Sequence, residues 1–153
     1  MERLCGDNTE TAVNAYVRLV RTAEALHAQV SQGLVEEGLT ASQFSTLKVL
    51  RINGPLAQKD IANYLLKTGG NVTLVVDNLV RRKLVKRGVD VNDRRVALVE
   101  LTPLGVATFD RIYPHHLNRI REAMKNLDGG QVEGLLELLE DLRPSKVPTA
   151  VGS

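Results

Sequence analysis

The residues with the clearest chemistry are cations crowded into one address. Residues 81 to 95 read RRKLVKRGVDVNDRR. Seven of the chain's twenty Lys and Arg residues lie there, against only Asp90 and Asp93, giving a local charge of +5. The whole chain carries +2, so everything outside this run sums to −3. Such a run is ordinarily a solvated face. It is also the arrangement that a phosphate backbone rewards, because each neutralised phosphate releases condensed counterions. The order of elements around the run decides between the two.

From Glu10 to Val35 apolar residues recur every three or four positions, at Val13, Val17, Val20, Ala23, Leu26, Val30 and Leu34. That period predicts a long amphipathic helix. Gly38 suits its C-terminal cap and Thr40 the N-cap of a second helix over 41–52, with Phe44, Leu47 and Leu50 inward. Asn53-Gly54-Pro55 is a turn. Leu56 and Ala57 are too few for an independent strand but could add an edge to one. A short helix over 58–66 buries Ile61, Ala62 and Leu65. LKTGGN breaks it, the paired glycines freeing the backbone to turn sharply. Thr68 is placed to cap another helix over 71–83, with Val72, Val75, Val76 and Leu79 inward. Residues 84–89 and 96–101 read as a β-hairpin with a charged tip. Thr102-Pro103 starts a helix to about Asn126, which Pro114 should kink or interrupt. Asp128 and Gln131 form a capping box for a last helix striped with Val132, Leu135, Leu136, Leu139 and Leu142. Residues 144–153 are expected to be disordered.

The expected fold is mainly α with a small β-hairpin: a winged helix-turn-helix at 41–101 between long terminal helices at 10–37 and 103–143, one domain over 10–143. In that fold the helix after the turn enters the major groove of duplex DNA, and the hairpin reaches sideways, where an arginine can enter the narrow minor groove. Topology and charge are independent clues to the same partner. A winged-helix module that binds only proteins is the alternative, and the basic run argues against it.

Composition narrows the rest. Aromatic residues make up 3% of the chain and Trp is absent, which disfavours base-stacking platforms for single strands. The lone Cys5 excludes an intrachain disulfide and fits a reducing cytoplasm. No apolar run approaches the roughly 20 residues of a membrane span, and the first residues lack a signal peptide's apolar core, so a cytoplasmic protein without membrane partners is expected. No Gly-rich phosphate cradle, nucleophile motif or cofactor motif is present, so the chain is not expected to be an enzyme or to hold a cofactor. His115 and His116 are adjacent and point about 100° apart on a helix, and no ligand set completes a zinc site; no metal is expected. Cys5 has only Arg3 nearby to lower its pKa, which argues against a redox role.

The segments GLTASQFSTLKVL, GPLAQKDIANYLL, GGNVTLVVDNLVRRKLVKR, DVNDRR and VALVELTPLG together resemble the multiple-antibiotic-resistance regulator (MarR) family, over roughly residues 10 to 143. The ordered set carries the likeness, above all NDRR followed by LTPLG. The resemblance implies a homodimeric repressor on a palindromic operator, its terminal helices forming the dimer interface, released by a small and often aromatic effector or by oxidants. YPHHLNRI resembles a subgroup with members that sense phenolic or quinone-like compounds. Carried onto this chain, the resemblance places Thr68, Gly70, Asn71 and Thr73 at the major groove. Arg95 takes the wing-tip position, oriented by Asp93, and Arg94, Arg82 and Lys86 are phosphate contacts. Tyr16, His27, Tyr113 and His115 are candidates to line a ligand cleft, with ordinary packing or surface placement equally open. The chain departs from the family at Lys83, where Gly is usual: a left-handed Lys costs roughly 1 kcal/mol. It departs again at Ala57, where a Ser or Thr cap is usual, at a similar cost.

Overall fold

A computed structural model describes residues 7–65 and 69–144. Six helices and three short strands follow in the order α1 (Asp7–Glu36), α2 (Ala41–Asn53), β1 (Leu56–Ala57), α3 (Gln58–Leu65), α4 (Gly69–Arg81), β2 (Val85–Val89), β3 (Ala97–Leu101), α5 (Pro103–Met124) and α6 (Gly129–Leu142). The core gathers Leu34 from α1 and Leu39 just after it, Phe44, Leu47 and Leu50 from α2, and Ile61 from α3. Val72, Val76 and Leu79 of α4, Leu84 just beyond it, Val85 and Val99 of the hairpin, and Phe109 and Ile112 of α5 complete it. The three- and four-residue steps on each helix thus converge on one apolar centre. The strands form an antiparallel sheet in the order β1-β3-β2. Val85 faces Leu101 and Val89 faces Ala97, while Leu56 faces Val99 on the far edge. Leu56 and Ala57 therefore do add an edge to the hairpin.

Local signals fix the ends of the elements. Thr40 and Gln43 close a capping box at the start of α2, and Asp128 and Gln131 close another at α6. Gly38 ends α1 at φ 86°. There the Leu39 amide reaches the Leu34 carbonyl at 3.0 Å and both leucines are buried, the paired bonds and apolar clasp of a Schellman cap.

The same cap ends α4 without glycine. Lys83 stands at φ 59°, the Leu84 amide donates to the Leu79 carbonyl at 3.0 Å and the Lys83 amide to Val80 at 2.9 Å. The conformation expected to cost a lysine about 1 kcal/mol is adopted. Neighbours hold it: the Thr102 hydroxyl donates to the Lys83 carbonyl at 2.6 Å while accepting from the Gly105 amide at 3.0 Å. Gly105 must be glycine, since a Cβ there would stand 1.9 Å from the Leu84 carbonyl oxygen. The LTPLG segment is thus the clamp between the end of α4 and the start of α5.

Two expectations are corrected. Helix α4 runs two residues earlier than 71–83, because the left-handed Lys83 stops it at Arg81 and because Gly69 and Gly70 lie inside its first turn. Of the kink or interruption expected at Pro114, the interruption does not occur, and α5 runs through it. Proline removes one hydrogen bond there, and Phe109 and Ile112, both buried, anchor the turn before it. Residues 145–153 of the expected tail lie outside the described residues.

Candidate nucleic-acid interface

Helix α4 buries Val72, Val76 and Leu79. A helix that commits one stripe to the core turns the opposite stripe outward, and on α4 that stripe holds Gly70, Leu74, Asp77 and Arg81. Asn71 and Thr73, flanking it near the leading end, are exposed. Thr68 lies outside the described residues. A polar network braces this face from behind: the Gln58 amide donates to the Thr73 hydroxyl at 2.6 Å, and Arg87 on β2 donates to Asp77 at 2.6 Å and to Gln58 at 3.4 Å. Thr73 is therefore tied to α3, whereas the Asn71 side chain stands at the surface. Leu74 was not singled out by sequence reasoning. Its angular position, about half a turn from the Val72–Val76–Leu79 stripe, was the available signal.

The wing is organised by its own two acids. The Asp90 carboxylate accepts the amides of Asn92 at 2.6 Å and Asp93 at 3.2 Å, folding the tip. The Asp93 carboxylate accepts the Arg95 amide at 3.0 Å and its guanidinium at 3.1 and 3.4 Å. These side-chain and backbone bonds from Arg95 hold the Asp93 carboxyl below its ordinary range. Arg95 nevertheless keeps 91% of its side chain exposed. A fixed, projecting guanidinium is what groove insertion requires. Arg94 beside it is exposed.

The cations of the run are not equally available. Lys86 pairs with Glu100 at 2.7 Å and Arg87 with Asp77 at 2.6 Å. These two acids lie outside the run, so they lower its local charge from +5 to +3. Arg82 donates to the Gly38 carbonyl at 2.7 Å and to Gln43 at 3.3 Å. Its guanidinium spans from the end of α4 to the corner between α1 and α2. Arg81, Lys83 and Arg94 are exposed and make no ion pair among the described residues.

A cleft of about 330 Å³ opens between α1, α2 and α5. His27, Ser31, Phe44, Lys48, His116 and Met124 are among its lining residues. Of the four residues expected at a cleft, His27 lies on this one. The others do not line it: Tyr16 is 68% exposed on α1, Tyr113 stacks on Phe109 with ring centres 5.0 Å apart, and His115 donates from Nδ1 to Glu37 at 2.6 Å. His116 and Lys48 take their place. His116 continues the inward stripe Phe109–Ile112–His116, and Lys48 follows Phe44 by one turn, so periodicity held both signals. The His116 ring sits 4.3 Å from that of Phe44, and its buried Nδ1 has no hydrogen-bond partner among the described residues. Burial, then the charges of Lys48 and Arg119, push its pKa down against the opposing pull of Glu37. Across α5, burial alone would raise the Glu37 carboxyl, but hydrogen bonds from Arg119 at 2.7 Å and His115 outweigh it and the pKa is lowered. Among the described residues no group of three or more His, Cys, Asp or Glu could hold a metal ion, and no helix is long and apolar enough to cross a membrane.

A helix pair, an outward-facing third helix and a two-stranded hairpin with a projecting arginine define a winged helix-turn-helix. Comparison with known proteins gives the family. The MarR family profile matches residues 37–96. YkoM, an HTH-type transcriptional regulator of Bacillus subtilis, is 31% identical over 134 residues, covering 88% of this chain and 87% of YkoM. NicR, an HTH-type transcriptional repressor of Pseudomonas putida, is 32% identical over 138 residues, covering 89% and 87%. Among solved structures, Bordetella bronchiseptica BpsR, whose DNA binding is regulated by 6-hydroxynicotinic acid, superposes with a TM-score of 0.76 at 27% identity, covering 84% of this chain and 98% of BpsR. The chain belongs to the MarR family. It is a DNA-binding transcriptional regulator, not an enzyme.

Proposed function

We propose that the protein is a cytoplasmic homodimeric repressor that binds a palindromic duplex and is released by a small aromatic or phenolic ligand. Residues 10–143 act as one unit in this reading, with α1, α5 and α6 as the dimer lobe. The observation that carries it is the exposure of Asn71 and Thr73 in α4 beside a wing whose Arg95 is held outward by Asp93. Asn71 would read base edges, as Asn does with adenine, and Arg95 would enter the minor groove. Arg94, with Arg81 and Lys83, would meet phosphates.

Dimerisation has its own support. No residue of α6 is buried, yet Leu136, Leu138, Leu139 and Leu142 all point to the surface. Val13, Tyr16 and Val17 do the same on α1. Apolar surface of that extent, on both terminal helices, marks an interaction face. A dimer sets its two recognition helices about one DNA turn, roughly 34 Å, apart.

The cleft suits a flat ring beside Phe44 with an acidic substituent toward Lys48 and the unpartnered His116 Nδ1. The aromatic acid that regulates BpsR is consistent with that chemistry. A ligand favouring a dimer with a different spacing between α4 helices would empty the operator by population shift. Selection of bound duplexes from a random pool tests the reading. An inverted repeat with half-site centres one turn apart is expected, released by members of a panel of aromatic acids and phenols. No enrichment, or a lone 16.8 kDa species in sedimentation at micromolar concentration, would overturn it.

A further inference from the structure

Leu74 is 60% exposed. A single exposed leucine is usually unremarked surface. This one stands in the middle of the outward stripe of α4, one turn after Gly70 and one turn before Asp77. Four polar groups on one side of it are already committed. Gln58 is bonded to Thr73, and Arg87 to both Asp77 and Gln58, at 2.6 to 3.4 Å. Turning these groups toward a base edge would weaken bonds that hold α3, α4 and β2 together. Leu74 has no such bond to break, and covering it removes apolar surface from water.

The major-groove edge of DNA offers one apolar feature, the C5-methyl group of thymine. We propose that Leu74 is a specificity-determining residue that reads one thymine methyl in each half-site. This rests on the DNA-binding reading of α4 above. Cytosine at that position lacks the methyl, and leucine can pair with neither its N4 donor nor thymine's O4 acceptor. The methyl contact alone therefore carries the preference for thymine.

The test starts from the duplex recovered by selection. Each thymine of a half-site is replaced in turn by deoxyuridine, which removes only the methyl group. At one position the wild-type protein is expected to bind about fourfold more weakly, the factor that one buried methyl is worth. Leu74→Ala is expected to bind the thymine and uracil duplexes equally. It is expected to melt with the wild type, because the side chain is exposed and carries no part of the core. If no thymine methyl matters to the wild type, or if the methyl effect survives in Leu74→Ala, the assignment is overturned while the operator itself stands. If no duplex is enriched at all, the DNA-binding reading of α4 falls, and this assignment with it.

Discussion

Replacing Arg95 with Ala isolates the wing, and its effect can be worked out before the experiment. Arg95 is 91% exposed and, among the described residues, paired only with Asp93, and exposed ion pairs contribute about 0–1 kcal/mol to stability. Arg95→Ala should therefore melt near the wild type. On DNA the loss is larger. A groove arginine is worth about 1–3 kcal/mol, so each wing should forfeit roughly 5- to 150-fold in affinity. A second effect follows from the 3.1 Å bond to Asp93. With the guanidinium gone, an unneutralised carboxylate remains where the arginine met the DNA. A carboxylate left facing a phosphate is repelled by it. The double variant Asp93→Ala/Arg95→Ala should then bind more tightly than Arg95→Ala alone. Fluorescence anisotropy on the selected operator at low salt measures all three proteins, low salt being where screening least obscures the charge. The reasoning is refuted if Arg95→Ala binds as the wild type does, or if removing Asp93 from it brings no recovery.

Arg82→Ala distinguishes a strut from a phosphate contact. Losing two phosphate contacts per dimer would flatten the salt slope by about 1.8; because Arg82 grips Gly38 and Gln43, the expected result is an unchanged slope with weaker operator binding and unaltered non-specific binding. Leu136→Glu with Leu139→Glu should turn the dimer into a folded monomer in sedimentation, since neither side chain is buried within the chain. Folding stability should also fall as acid is added below pH 6.5, the ordinary histidine value. His116 has a lowered folded-state pKa, so the unfolded chain takes up its proton first, and stability present above 6.5 is lost as pH falls through the folded value. Glu37, also lowered, acts only below its ordinary 4.5, which leaves a window where His116→Gln should reduce the pH dependence of the melting temperature; an identical dependence in the variant would remove His116 from the account.

What the sequence could announce was what three or four neighbouring residues decide among themselves. The caps at Thr40, at Thr102 with Pro103 and at Asp128 with Gln131 lie within one helical turn, and each forms where expected, Gln43 completing a box with Thr40 that was not foreseen. The left-handed Lys83 was not legible locally, since periodicity alone ran the helix through it; only the resemblance to a family with Gly at that position pointed to it. The Asp93–Arg95 pair, two residues apart, was likewise implied by the resemblance, and it forms. Interactions between distant segments were not legible. Nothing local says that Glu100 and Asp77 would claim Lys86 and Arg87, or that Arg82 would reach 44 residues back to Gly38. The cleft shows the same division. Periodicity places His116 and Lys48 on inward faces, but only the crossing of α2 with α5 brings them to one cavity. The adjacent His115, turned about 100° away, goes to Glu37 instead.

The corner between α1 and α2 is where these long-range contacts meet. Leu34 and Leu39 bury it from both sides of Gly38. Arg119 and His115 of α5 hold the Glu37 carboxylate, and one residue on, Arg82 holds the Gly38 carbonyl from the end of α4. Two adjacent residues thus join the proposed dimer lobe to the recognition helix, and Leu34 is also a wall of the cleft. A ligand that moved α1 against α5 would load this corner, and the corner would pull on the trailing end of α4. At 1.5 Å per residue the 13 residues of α4 span about 20 Å. A swing of about 5° at the trailing end would then carry the leading end roughly 1.7 Å. Hydrogen bonds to base edges tolerate only a few tenths of an ångström around 2.9 Å, so that displacement is enough to lose them. Under the proposed mechanism no large rearrangement is needed, because the length of α4 amplifies a small one.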